Sequence, residues 1–370
     1  MDWARPAWYL LVSAAGVAAG YVIVRLTWWV ASQWQIRRAG PRRLMATRHR
    51  IWHHPEASVT DALRFGPGGR DGVPAPPFQF VEELFSGSQP CVSVRDARSR
   101  LWRVKWGHEA KPESFAVRVA WACGYFAEVT HFIAEGTIDA ASNLTRARKC
   151  IDQDGHFEAA RFEIEDRSVR MLFDEHSWSW NDNPFVGTKQ LSGLKMVVML
   201  VSNWDTKDRR DVARGSNSAI FEVPISSWTR EARYVISDWG AAMGKWGTTV
   251  VSRNRWDPEG FAAQTPMFVT SVKDGYVNFG YGGQRTAEIT RGITVDHVEW
   301  FYRYARRLTR ESLRGGLLAS GATEEEAVRF ADALTDRIAQ LGEAASARRS
   351  GGAKAAGYAG EEAQRTIKVG

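Results

Sequence analysis

Residues 193–201 constrain this chain most: Leu194, Met196, Val197, Val198, Met199, Leu200 and Val201 leave Lys195 as the run's only charge. A helix that is apolar on every side has no face to give to water and has to be buried. The run ends in Asn203-Trp204-Asp205-Thr206-Lys207-Asp208, so these polar side chains are delivered from the interior and not by a solvated loop. Strand signals follow at 219–223 and 234–236, and the second runs into Ser237-Asp238-Trp239-Gly240. An Asp two residues before a glycine is, by itself, an ordinary turn. Two acidic turns in succession, each fed by an apolar element, are a reason to look for a site.

Upstream the texture is that of strands. Residues 91–95 and 101–106 flank the polar turn 96–100, and period-2 alternation puts Trp102, Val104 and Trp106 on one face. Leu101, Arg103 and Lys105 then share the other. A helix is expected from Glu113 to Cys123, stopped by Gly124. A hairpin-like stretch covers 126–137, charged strands follow at 157–164 and 169–173, and Asp182-Asn183-Pro184-Phe185 reads as a turn. Near the end, 295–308 and 323–341 are amphipathic helices, and Thr323 with Glu326 forms a capping box for the second. The expected class is α+β, with a strand-rich lobe at about 79–178, a helical lobe at about 179–345 and the candidate site at their junction. Residues 36–78, basic and then rich in Pro and Gly, read as a linker, and 346–370 as a disordered tail.

Residues 7–24 hold 18 positions without a charge, and after Arg25 an apolar stretch with Trp28, Trp29 and Trp34 continues. A spanning helix needs roughly 20 such residues. Residues 1–35 are therefore expected to be a transmembrane anchor. Arg37, Arg38, Arg42, Arg43, Arg48 and Arg50 behind it place the rest of the chain in the cytoplasm by the positive-inside rule. The expectation is a single-pass protein of a bacterial inner membrane; a cleaved signal peptide, and hence an exported envelope protein, is the rival. The arginines either set topology or touch anionic headgroups. The net charge of +7 is a poor clue to nucleic acid, because residues 1–50 carry eight Arg and one Asp and so account for all of it. Three widely spaced cysteines suggest neither a disulfide framework nor a zinc site. His53-His54 lacks companions for a metal.

Phosphoryl transfer needs a cation on the phosphates, carboxylates for Mg²⁺ and a carboxylate to orient the attacking hydroxyl. Candidates for each role occur in order along the chain. Lys105 would hold phosphates, fixed by Glu113, with Glu109 competing for that pairing. Asp205 would orient the nucleophile while Lys207 steadies the transferred group. Asp238 would bind the metal, with Asp208 as a second ligand. The segments around Val104-Lys105, Glu113…Ala120…Gly124, Asn203–Asp208, Asp182–Thr188 and Ser237–Gly240 resemble an uncharacterised bacterial family with an atypical kinase-like fold. That superfamily includes the HipA toxin kinases and the phosphoinositide 3/4-kinases. The similarity spans about 80–342 at the level of motifs. It implies a two-lobed kinase-like domain that binds ATP with Mg²⁺ or Mn²⁺ and transfers a phosphoryl, less commonly a nucleotidyl, group.

The sequence departs from that pattern in one place. The pattern wants an Asn five residues after the catalytic Asp, and Arg210 stands there. Residues 209–216 look like an insertion, after which Asn217 is positioned to supply the ligand from a longer loop. Without it, the chain reads as a pseudokinase, a nucleotide-binding or scaffold module. A glycine-rich phosphate loop is thin, with Ser86-Gly87-Ser88 its one stand-in and Gly87 its candidate residue. Nothing in the sequence identifies the acceptor.

Overall fold

The computed structural model describes residues 48–85, 89–166, 169–172, 178–206, 217–247 and 252–366. A short strand β1 (Arg48–Arg50) and helix α1 (Val59–Phe65) come first. Strands β2 (Phe78–Glu83), β3 (Cys91–Arg95) and β4 (Leu101–Lys105) precede helix α2 (Ala110–Ala122). Strands β5 (Thr130–Asp139) and β6 (His156–Ile164) then complete a closed five-stranded barrel in the order β2-β3-β4-β6-β5. The closing pair β2–β5 is parallel and the others are antiparallel.

The alternation expected of β4 is the alternation found. Trp102, Val104 and Trp106 join Phe78, Val92, Val94, Phe157 and Phe162 in the barrel core. Arg103 and Lys105, together with Arg161 and Glu163 of β6, therefore stand on the outer face. The turn between β3 and β4 is organised by the buried carboxylate of Asp96. It accepts from the backbone N–H of Arg98 and Arg100 and from Trp102 Nε1.

The chain continues through β7 (Arg170–Leu172), α3 (Lys189–Leu200), β8 (Ser218–Pro224) and β9 (Arg230–Ile236), giving a second sheet ordered β1-β9-β8-β7. Helix α3 is buried from Leu191 to Leu200, as its apolar circumference requires. Gly193 lets it pack so closely: a Cβ there would fall 2.0 Å from Tyr125 Oη and 2.9 Å from Trp300. Next come α4 (Pro258–Gln264), the hairpin β10 (Val269–Lys273) and β11 (Tyr276–Phe279), and helices α5 (Thr286–Thr290), α6 (Val295–Ala305), α7 (Arg310–Leu318) and α8 (Glu324–Thr366). The capping box opens α8: Thr323 N–H donates to Glu326, and Glu326 N–H donates to Thr323 Oγ1.

Two expectations are corrected. Much of the region read as a linker at 36–78 is integral to the fold. Strand β1 pairs in parallel with β9, Ile51 and Leu63 lie in the main core, and Trp52 Nε1 donates to Cys123 O. Proline and glycine there mark tight turns between packed pieces, not a solvated tether. The tail at 346–370, read as disordered, begins as a continuation of α8, whose helix runs on to Thr366. Its alanines sustain helix where its glycines suggested disorder. Among the described residues no helix is long and apolar enough to cross a membrane; the apolar run at 7–24 lies outside them.

Candidate functional site

The loop carrying Asp205 is shaped where α3 ends. Asn203 N–H reaches back to Val198 O at 2.9 Å and Ser202 N–H to Met199 O at 3.0 Å, with Ser202 in the left-handed region at φ 50°. This is the Schellman arrangement, with a serine where glycine is usual. The Leu200 carbonyl that it leaves is met by a residue distant in sequence, which also reaches Met199 O. Arg337 of α8, 1% exposed, donates to Leu200 O, Met199 O and Ser202 Oγ. It also donates to Phe261 O and Thr265 Oγ1. A cation at a helix C-terminus is favoured by the helix dipole as well.

Three segments meet beyond that helix end. Asn203 Nδ2 donates to the backbone O of Asp238 at 3.1 Å, and Asn217 Nδ2 donates to the backbone O of Asp205 at 2.5 Å. Ser237 N–H donates to Asn217 O at 3.1 Å. The start of β8 and the end of β9 are thereby tied to the Asp205 loop, with Asn217 buried and both aspartates half-exposed. The carboxylate of Asp238 closes its own turn, Oδ1 accepting from Gly240 N–H at 2.9 Å. Tyr281 donates to Asn203 O at 2.5 Å and has its pKa raised, chiefly by burial and also by nearby Asp205. Trp204 is pinned through Nε1 to Asn254 O at 3.0 Å, and the Arg255 guanidinium lies 5.2 Å from its ring centroid.

The barrel's outer face supplies the other side, but with different partners from those expected. Lys105 pairs with Glu163 at 3.9 Å, while Glu113 of α2 pairs with Arg161. The expected direct Lys105–Glu113 pair is thus replaced by a chain of alternating charge. Arg161 reaches Glu163 at 2.9 Å, and Arg103 reaches Glu163 at 3.1 Å. The physical reason lies in the strands. Arg161 and Glu163 are adjacent outward positions of β6, beside Arg103 and Lys105 of β4, so cross-strand pairing satisfies Lys105 within the sheet. Burial opposes ionisation of Glu163, yet Arg161, Lys105 and Arg103 outweigh it and hold the carboxyl below its ordinary range.

Glu109, the alternative partner, pairs with Arg255 at 3.3 Å instead. It also lies against the Asp238 turn, where a Cβ on Gly240 would come within 2.8 Å of its side chain. Glu128, on the connection from α2 to β5, has its pKa raised to about 8 by burial and then by Glu163. Asp238 adds to that rise, so the barrel face and the Asp238 turn share one electrostatic neighbourhood. Sequence reasoning missed Glu128, Arg161, Glu163, Arg255 and Arg337. The one available signal was the alternation of Ala160 and Phe162 with Arg161 and Glu163, which marks two charged positions facing α2.

Of the residues singled out from sequence, Asp205, Asn217 and Asp238 are brought together, and Lys105 and Glu113 lie in one charge network. Gly87, Lys207 and Asp208 lie outside the described residues. Among the described residues, no three His, Cys, Asp or Glu side chains converge as a metal cluster. The candidate donor set is instead two aspartates and an amide. Among the bonds of the described residues Asn217 uses Nδ2 and Asp238 uses Oδ1, which leaves Asn217 Oδ1 and Asp238 Oδ2 as the candidate cation donors. Oxygen donors of this kind suit Mg²⁺, which keeps several waters and takes few carboxylates.

The sequence matches no family model, and no curated protein matches it. Among solved structures, the crystal structure of the golgi casein kinase is similar with a TM-score of 0.35 and 10% identity, over 79% of this chain and 77% of that one. A likeness that distant leaves any functional reading to rest on this chain's own geometry, a mixed α+β fold with its candidate residues between barrel and helical half.

Proposed function

We propose that this chain is a membrane-anchored, kinase-like protein that binds ATP with Mg²⁺ and transfers a phosphoryl group to an acceptor. One observation carries the reading: Asn217, twelve positions after Asp205 in sequence, donates to the Asp205 backbone beside the Asp238 turn. The order of elements supports it too. A three-strand run ending in Lys105, a helix bearing Glu113, two further strands and then the acidic loops follow the sequence of parts a kinase-like site needs. In this reading Asp238, Asn217 and Asp208 hold the metal, which neutralises the charge on the phosphates. Lys105 lies along those phosphates, Asp205 accepts the proton of the attacking hydroxyl, and Lys207 steadies the transferred group. Gly87 belongs to the loop over the nucleotide, and residues 1–35 form the anchor.

The reading is tested by thermal unfolding of the full chain in mild detergent with ATP, with and without Mg²⁺ or Mn²⁺. A ligand at a hundred times its Kd stabilises the folded state by about 2.7 kcal/mol. A metal-dependent rise in melting temperature, abolished by Asp238→Ala, is expected. No rise with any nucleotide would end it. The exchange of partners at Lys105 favours a second reading, a pseudokinase that binds nucleotide without transferring it. Binding without metal-dependent consumption of ATP distinguishes that case.

A further inference from the structure

Far from the candidate residues, one surface feature has no role in the site. Trp228 is 95% exposed, at the tip of the β8–β9 hairpin, and its neighbour Ile225 is 46% exposed. All of Pro224, Ile225, Ser226, Ser227 and Trp228 face solvent. The tip is nevertheless built: Ile225 N–H donates to Thr229 O at 2.9 Å, and Ser226 Oγ accepts from Trp228 N–H and Thr229 N–H. A large aromatic side chain held outward on an ordered turn is an apolar probe with a polar edge, the property that places Trp at membrane interfaces.

Two further observations say what it meets. First, β1 enters the sheet at the same end as the tip. Its parallel register sets Arg48 opposite Glu231, three residues beyond Trp228. The apolar segment ends at Trp34, and the 14 steps from there to Arg48 span at most about 50 Å, so both can reach one surface. Second, the charges at this end are sorted by depth. Glu231 is buried and takes Arg48, Arg50 and Arg233, while Glu222 is buried and takes Arg230. The acids have side chains 2% and 0% exposed, while the guanidinium side chains are between 30% and 63% exposed. The surface around the tip is therefore positive, complementary to an anionic leaflet.

We propose that the β8–β9 hairpin docks tip-first on an anionic lipid bilayer. Ile225 and Trp228 insert at the interface, and Arg48 and Arg230 lie at headgroup level. The proposal rests on the anchor placed at residues 1–35 and not on the phosphoryl-transfer chemistry. It has a consequence for the site. Asn217 and Asp238 flank the opposite end of the same two strands, each seven residues long, so a docked hairpin holds the site up to about 25 Å above the membrane.

The test uses the full chain reconstituted in vesicles of phosphatidylcholine with phosphatidylglycerol. The background is Cys150→Ser, since Cys150 is half-buried and Cys91 and Cys123 are buried. An NBD fluorophore is attached at Trp228→Cys, at Ile225→Cys, or at the control Val186→Cys on an exposed turn. Matching melting temperatures show that the labelled variants fold. The expected result is a blue-shifted emission, quenched by brominated lipid, at 228 and 225 but not at 186. Quenching should weaken in vesicles of phosphatidylcholine alone. If the chain floats with the vesicles while the probes at 228 and 225 keep an aqueous spectrum, the tip does not dock and the anchor stands. If the chain does not float, both fail. Equal quenching at 186 would mean non-specific adsorption and would also overturn the proposal.

Discussion

Replacing Arg337 by leucine tests whether the helical half positions the Asp205 loop. The side chain makes five hydrogen bonds, and its guanidinium carbon sits 3.7 Å from the centroid of the Phe261 ring. Not all five acceptors depend on it. Met199 O also receives Ser202 N–H, and Phe261 O also receives the Thr265 hydroxyl. Leu200 O and Ser202 Oγ have no second partner among the bonds of the described residues. Leaving a buried polar group unsatisfied costs about 1–3 kcal/mol, which puts the two together at about 2–6 kcal/mol. Against this, leucine releases a costly buried cation, whose pKa burial has pushed down to about 9. A net loss of about 2–4 kcal/mol is expected, a large part of the stability of an ordinary domain. Urea unfolding should show the midpoint falling with an unchanged slope. Ser202→Gly relieves the left-handed strain but removes one of the two orphaned acceptors, so it should be nearly neutral alone. Combined with Arg337→Leu it should cost less than the sum of the singles. An Arg337→Leu midpoint within experimental error of the parent would show that the end of α3 does not depend on Arg337.

The charge network gives a pH prediction. Glu128 has a folded pKa of about 8, above the ordinary value of about 4.3 in an unfolded chain, so between these values only the folded state keeps the proton. Stability should therefore fall as pH rises through that window, by at most about 1.4 kcal/mol per pH unit, and Glu128→Gln should flatten the fall in urea midpoints. Gly240→Ala would press a Cβ to 2.8 Å from the Glu109 side chain. It should cost about 1–3 kcal/mol and reduce any ATP-induced rise in melting temperature; an unchanged midpoint would mean that Glu109 swings away freely. Glu113→Gln leaves Arg161, whose side chain is 3% exposed, without its α2 partner. Because Glu163 still pairs with Arg161, it should cost only about 1–3 kcal/mol, while leaving nucleotide response per folded molecule intact. Glu163→Gln should weaken that response by freeing Lys105, so equal effects from both substitutions would count against the observed pairing.

The elements legible from sequence were those whose pattern is local. The buried circumference of α3, the alternation of β4 and the Thr323–Glu326 box depend on residues within one or two turns of each other. The acidic turns were legible because apolar elements deliver them. Their mutual closeness depends on amide side chains, Asn203 to Asp238 and Asn217 to Asp205, whose partners lie on other segments. The Lys105 pairing failed for a related reason. Sequence order suggested the carboxylate on the next helix, while β6, more than fifty positions further along, places Glu163 diagonally across the sheet. The segment around β1 and α1 was misjudged because three strand residues and a seven-residue helix carry little periodic signal. Only the sheet edge of β9 and the packing of Leu63 reveal their place.

The exchange of partners changes what holds the site in place. A lysine paired directly to a helix follows that helix whenever it shifts. Here Lys105 is paired to Glu163 of its own sheet, and α2 reaches the network through Glu113 and Arg161. Barrel strands joined by continuous ladders move as one body, so Lys105 keeps its position relative to Glu163 whatever α2 does. A displacement of α2 would instead strip Arg161 of one carboxylate inside the protein, which is costly. That cost opposes displacement, so the network favours one fixed arrangement of helix and barrel over two alternatives. The opposite wall is fixed in the same manner, by Arg337 beneath α3 and by Asn203 and Asn217 across the acidic loops. Glu109 and Arg255 join the two walls at 3.3 Å, with Glu109 against Gly240. Any separation of the two walls must break that half-exposed pair or move the Asp238 turn. The pair's side chains are 32% and 33% exposed, so solvent screens it more than the buried Glu113–Arg161 pair, which makes it the weaker link.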